Sequence, residues 1–254
     1  MKKIGLFLLS SVVVVSFISC ASTPDAESMA KMEKAKQLFE QRADVAKAKE
    51  GVALFQEIIE KNPQYTPAFE LLSRLTVYLC MDLASNKKTA MEAYEYMGVA
   101  GEVTDAWLKF EPNSGPANFW KAYSAAAAKD IKTALIYGEK AIEIDPNYLN
   151  GSPYTMMGYL KGVLPPFLGG DLEAAYKYLD KAMEAAPDNL MIHRIKALLL
   201  VNEAKAAAKK AMVHLQFVVE SPPMKGWGPE ARRDKAVAKK LLGGYGKGLK
   251  VLAK

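Results

Sequence analysis

The chain is poor in the side chains that enzyme and metal sites are usually built from. Among 254 residues there are two cysteines and two histidines. His193 and His214 stand apart in sequence, each inside helical periodicity, and read as partly exposed helix residues. There is no His-Glu-x-x-His, no Cys-x-x-Cys and no Asp/Glu cluster at ligand spacing, so neither a metal site nor a Cys–His or Ser–His nucleophile is indicated. Gly243-Gly244-Tyr245-Gly246-Lys247-Gly248 is glycine-rich, yet no strand precedes it and no Ser or Thr follows its lysine. It reads as a helix end and a tail, not a phosphate loop. Strand-like alternation is missing too, which points to an all-α protein. No cofactor is called for, and the net charge of +6, which falls by two to +4 without Lys2 and Lys3, is too small to imply nucleic acid.

What the chain does have is a period. Pro112, Pro146, Pro187 and Pro222 each close an amphipathic run, at separations of 34, 41 and 35 residues. That is the tetratricopeptide spacing, one helix-turn-helix per repeat. Lys140-Ala141-Ile142-Glu143-Ile144-Asp145-Pro146 is echoed by Lys181-Ala182-Met183-Glu184-Ala185-Ala186-Pro187. Ala122, Ala134 and Ala141, then Ala175, Leu179 and Ala182, fall where paired helices need small side chains. Proline suits the closing position because it lacks a backbone N–H and its ring forbids continuing the preceding helix. An earlier copy ends at Pro63, 49 residues before Pro112, so something is inserted between them. The expected fold is a tetratricopeptide-like helix-turn-helix solenoid with divergent repeats over residues 29–242.

The long apolar run stands at the N-terminus. Lys2 and Lys3 precede Ile4 to Ile18, and Phe17-Ile18-Ser19-Cys20 ends the run, which is too short for a membrane span and reads as a signal peptide over residues 1–19. Cleavage before Cys20 makes a lipoprotein, anchored in the membrane through lipid on that residue, with 20–28 as a small polar tether. Ordinary cleavage after Ala21 is the other reading, since Phe17 stands where a lipobox usually carries Leu. With Cys20 acylated, Cys80 has no partner and reads as a small buried hydrophobe.

The expected helices run Met29 to Ala48, Glu50 to Lys61, Pro67 to Ala84, a long one from Lys87 to Phe110, then Gly115 to Ala128 with Ile131 to Ile144, Tyr154 to Val163 with Leu172 to Ala185, and Asn189 to Ala208 with Lys209 to Glu220. Residues 225–254 carry nine basic side chains against Glu230 and Asp234. Within them Arg232, Arg233, Lys239 and Lys240 around Val237 and Leu241 read as a C-terminal capping helix, polar outside and apolar inside, of the kind terminal repeats require. A Gly/Lys-rich tail, 243–254, follows.

Residues 151–172 exceed what a generic repeat needs. They form an apolar loop, Leu164 to Leu168, turned by Gly169-Gly170 into a helix that Asp171 is placed to cap. Trp107, Phe119, Trp120, Tyr123, Tyr154, Met157 and Phe167 are large apolar or aromatic groups on adjoining repeats, enough to line a groove, a pore or a partner surface.

The phrase from Tyr154 through Leu164-Pro165-Pro166-Phe167-Leu168-Gly169-Gly170-Asp171-Leu172, together with the lipobox, the divergent repeats and Ala231 to Leu242, resembles the T component of TRAP transporters, the tetratricopeptide lipoprotein family TatT. That resemblance implies a non-enzymatic periplasmic lipoprotein that works beside the TRAP substrate-binding protein, handles a small hydrophobic ligand and self-associates into a homo-oligomer. On the residues alone, a tetratricopeptide scaffold of envelope biogenesis, holding a peptide or an envelope protein in its concave face, is the alternative.

Overall fold

The structure, a computed structural model, describes residues 24–201 and 208–244. The segment read as a signal peptide, the lipid attachment expected at Cys20, the start of the expected tether and most of the Gly/Lys tail lie outside the described residues.

Among the described residues there are eleven α-helices and no strand. They are α1 (Ala26–Glu40), α2 (Val45–Lys61), α3 (Thr66–Ala84), α4 (Ala90–Phe110), α5 (Gly115–Ala127), α6 (Ile131–Ile144), α7 (Tyr148–Val163), α8 (Leu172–Ala185), α9 (Leu190–Val201), α10 (Ala208–Glu220) and α11 (Gly228–Gly244), with a 3₁₀ turn at Pro166–Leu168. The first ten pack as five successive pairs. Odd-numbered helices also touch one another, α1 with α3, α3 with α5, α5 with α7 and α7 with α9, and so form the inner wall of an all-α solenoid.

The proline period has a backbone cause. Each even helix through α10 ends two residues before a proline: Pro63, Pro112, Pro146, Pro187 and Pro222. The residue in between has left the helical region at four of these ends, Asn62 at φ −131°, ψ 74°, Glu111 at −126°, 66°, Asp145 at −145°, 81° and Ala186 at −150°, 76°. A residue before proline is pushed out of the helical region by the pyrrolidine Cδ, so the same stop is made each time. Its own N–H still reaches back, to Ile58, Trp107, Ala141 and Ala182 carbonyls. Starts are marked by side chains: Asp25, Asp44, Ser114, Asp130 and Asp171 accept from the first-turn N–H groups of α1, α2, α5, α6 and α8. The 49-residue gap between Pro63 and Pro112 is absorbed by α3 and α4, 19 and 21 residues long.

Apart from shifts of up to three residues at other helix ends, such as α1 starting at Ala26 and α4 at Ala90, two boundaries differ from those read in the sequence. The helix expected from Met29 to Ala48 is broken at residues 41–44, where Asp44 accepts from Ala46 and Lys47 and starts α2 early. Helix α7 begins before Tyr154, but Leu149, Asn150 and Gly151 all take left-handed conformations, φ 45°, 58° and 72°. Asn150-Gly151 supplies the two residue types that tolerate that region, and Pro153 then starts the regular helix.

The pairs are glued by small residues opposite large ones. Ala122, Ala134, Ala141, Ala175, Leu179 and Ala182 are all fully buried, as the period requires. A Cβ on Gly138 of α6 would lie 2.3 Å from Met157 Sδ, so this glycine is the socket that admits the methionine of α7. Phe55, Leu75, Leu79 and Leu199 are also fully buried, each contributing about 1.5–3 kcal/mol of transfer free energy. Cys80 is buried and without a disulfide, as a small hydrophobe would be.

Helix α11 does more than cap the last pair. Ala231, Ala238, Leu241 and Leu242 pack with α9 and α10, while its start and the turn before it reach back to the first pair. Arg42, in the turn between α1 and α2 and fully buried, donates to Glu230 through Nε (3.2 Å) and Nη2 (2.7 Å), to the Gly226 carbonyl (2.8 Å) and to the Phe39 carbonyl (3.0 Å). The capping helix was expected to turn its charges outward. Instead Arg233 and Asp234 face inward, because the inner wall opposite offers Tyr78, Asp82 and Arg194 to pair with them.

Candidate ligand groove

Between the inner wall and α11 lies a groove of about 210 Å³, bounded by Val77, Tyr78 and Met81 of α3, Trp120 and Tyr123 of α5, Met191 of α9, and Met224, Trp227 and Val237 on the α11 side. A second cavity of about 310 Å³ continues from it along α5, α7 and α9, sharing Met81, Tyr123, Met191 and Arg194 and adding Met156, Tyr159 and Leu160. Lining by four methionines and three tyrosines gives an apolar surface that can adjust its shape, since thioether side chains are unbranched and flexible.

The aromatic wall of α5 is held from behind. Trp120 Nε1 donates to Tyr148 Oη at 2.8 Å, and Tyr148 in turn donates to Glu70 at 2.7 Å. Burial, with Glu70 alongside, keeps the Tyr148 phenol well above its ordinary pKa and therefore neutral. Phe119 sits edge-on to Trp120, Tyr123 and Tyr148 at 4.8, 5.8 and 5.4 Å, fixing all three rings. Burial also raises the Tyr123 phenol, whose hydroxyl points at Met81 Sδ, 3.7 Å away. On the α11 side, burial raises the Asp234 carboxyl while Arg194, 2.8 Å away, opposes the shift.

The seven residues singled out in the sequence fall in four places. Trp120 and Tyr123 line the groove. Trp107, Phe119 and Met157 are core, a correction to their expected place on a surface: Trp107 is sealed beneath Phe69 and donates to Glu111 at 2.8 Å, Phe119 backs the wall, and Met157 fills the Gly138 socket. Tyr154 lies in the α7–α8 seam against Tyr178, with Lys181 over its ring. Phe167, on the 3₁₀ turn and 85 % exposed, lines neither cavity of the groove and has the exposed Leu168 beside it. The loop carrying it closes tightly, for a Cβ on Gly170 would stand 1.8 Å from the Leu164 carbonyl oxygen.

Sequence reasoning missed Arg74, Arg194, Arg233, Met191 and Trp227, which come from α3, α9 and the α11 end and meet only in the folded chain. One signal was there: Arg74 is a lone cation inside the apolar run Phe69 to Leu79. The histidines, read as partly exposed helix residues, meet in the fold, and His193 is buried while His214 is partly exposed. His193 Nδ1 and His214 Nδ1 are 2.8 Å apart, and His193 Nε2 is 2.7 Å from the Pro187 carbonyl. A carbonyl only accepts, so His193 carries its proton on Nε2 and accepts from His214 at Nδ1. Burial lowers both imidazoles, His214 to about 4 with His193 adding to the shift. No group of three or more metal-ligating side chains forms among the described residues, and no helix among them is long and apolar enough to cross a membrane.

A family model described as TRAP transporter T-component matches residues 68–223, from α3 to the prolines after α10. In solved structures the chain is similar to a thermophilic tetratricopeptide-repeat protein of Thermus thermophilus, at 16% identity and a TM-score of 0.57, covering 84% of this chain and 98% of that one. It is also similar to a chain of the APC/C hetero-tetramer Cut9–Hcn1, at 17% identity and a TM-score of 0.47, covering 89% of this chain and 47% of that one. No curated protein matches the sequence significantly.

Proposed function

The chain belongs to the TRAP transporter T-component family, and on that footing we propose that it is a non-enzymatic, lipid-anchored periplasmic subunit that binds the transporter's substrate-binding protein and holds a small hydrophobic ligand beneath α11. The observation that carries the ligand part is the roofed groove, with its methionine and tyrosine lining continuous over two cavities. The same roof weighs against the scaffold alternative, because α11 already lies across the inner wall that an extended peptide would occupy. Phe167 and Leu168, exposed on a short rigid turn outside the groove, offer an apolar knob for the partner protein or for a second copy of this chain.

Copurification from native envelopes, or mixing with the cognate substrate-binding protein on a sizing column, is expected to give one complex of both chains. Independent elution at micromolar concentration would refute the partnership. Acyl anchoring at Cys20 is expected to place the protein in the membrane fraction and Cys20→Ser to release it, since two or more acyl chains hold a protein on a bilayer firmly. Wild-type protein in the soluble fraction would overturn the anchor.

A further inference from the structure

The groove is apolar along most of its wall, but its polar groups are unevenly satisfied. Arg42 grips Glu230 with the Nε/Nη2 edge of its guanidinium. The same edge of Arg74 makes no hydrogen bond to any described residue. Its nearest carboxylate oxygen, Glu230 Oε1, stands 3.6 Å from Nη2 and already accepts from Arg42. Arg74 is held instead by two rings, Phe39 at 5.1 Å and Trp227 at 4.4 Å. Asn189 borders the same cavity, is 4 % exposed, and spends Oδ1 on the Met191 N–H while Nδ2 has no partner.

The acceptors nearby are committed: Glu230 to Arg42, Asp234 to Arg194, and Asp82 to Arg233 at 3.9 Å. Four guanidinium groups, Arg42, Arg74, Arg194 and Arg233, thus pair with three carboxylates, Glu40 adding only a longer-range attraction on Arg74, and the unmade hydrogen bonds at Arg74 and Asn189 are all donors. A buried donor without an acceptor is unfavourable, and a guanidinium edge matches the two oxygens of a carboxylate.

We infer that the ligand of this groove is an amphiphilic carboxylate, its head taken by the Nε/Nη2 edge of Arg74 and by Asn189 Nδ2, its tail lying along Met81, Tyr123, Met156 and Leu160. This rests on the groove being a ligand site. Trp227 is stacked on the guanidinium, so it shifts as the head arrives and its emission reports binding.

Octanoate and octanol, which share a chain and differ in the head, separate the alternatives by titration against the intact protein at neutral pH. Octanoate is expected to bind at least tenfold more tightly. Arg74→Met should bring the ratio close to one while octanol affinity is kept. Arg74→Lys, which retains the cation and the fold but not the two-pronged edge, should give an intermediate ratio. Equal native affinities would overturn the carboxylate and leave an apolar groove standing. Binding of neither probe would overturn the groove as a ligand site and the head assignment with it. An undiminished ratio in Arg74→Lys would move the head away from Arg74.

Discussion

Replacing Glu230 by glutamine should loosen the roof of the groove while leaving the five helix pairs intact. Glu230 is the anion for a fully buried cation: Arg42 has no solvent to fall back on, and its other acceptors are two neutral carbonyls. Removing one partner of a buried pair costs about 3–5 kcal/mol because the remaining charge is left uncompensated. Glutamine keeps one carbonyl acceptor for Arg42, which puts the expected loss near the lower end, roughly 3 kcal/mol. In a solenoid each pair contacts mainly its neighbours, so the loss falls on the contact between α11 and the α1–α2 turn. Amide hydrogen exchange across α11 should accelerate on the order of 100-fold if opening of this helix governs its exchange. Amides of α5 and α6 should be unchanged, and Trp227 emission should shift to the red as the ring leaves Arg74. Unaltered exchange in α11, with thermal midpoints equal within about 1 °C, would show that the Arg42–Glu230 contact is not what holds the roof.

The histidine pair makes stability depend on pH in a defined window. Both imidazoles are lowered in the fold, so the unfolded chain binds more protons between the ordinary value of 6.5 and about 4, and stability present above 6.5 is lost as pH falls through that range. The His214 ring is partly solvated, which discounts the loss to about 1–2 kcal/mol. Urea melts at pH 7.5 and 4.5 should show it, and His214→Gln should remove most of the difference; an equal drop in the variant would assign the effect elsewhere. Met157→Ala empties the Gly138 socket and should cost about 2–5 kcal/mol by chemical denaturation, whereas a change under about 1 kcal/mol would mean that α6 and α7 close the gap. Phe167→Asp should leave stability within about 0.5 kcal/mol, because the ring is mostly outside the fold, and should weaken association with the substrate-binding protein on a sizing column. A sharply lowered melting temperature would instead make Phe167 part of the core.

The repeat architecture is legible in the sequence because it is written locally. A proline two residues past each outer helix, an aspartate or serine at several starts and an alanine opposite each large neighbour act over a few residues, and a period exposes them. The break at Asp44 escapes notice because Met29 to Ala48 is helix-favouring on both sides of it, and only the cap separates the two halves. The groove is written at long range. Trp120 and Tyr123 announce themselves as aromatics, but their neighbours Phe119 and Trp107 look the same in sequence and differ only in which side of the helix meets the next pair. Met157 looks like a flexible lining residue until Gly138, 19 residues earlier, is seen to face it. The arginines carry no local signature apart from the isolation of Arg74 in its apolar run.

The contact between Arg42 and Glu230 joins residues 188 positions apart. The pairs of the solenoid, by contrast, form between neighbours in sequence and can assemble from one end as the chain appears. The groove therefore has a birth order: its floor stands as soon as α9 has docked, but it has no roof until the last helix has been made and has travelled back to the first turn. A chain interrupted shortly before Gly228 would fold its repeats and present the whole methionine-lined floor to water, a sticky half-built vessel in place of a finished one.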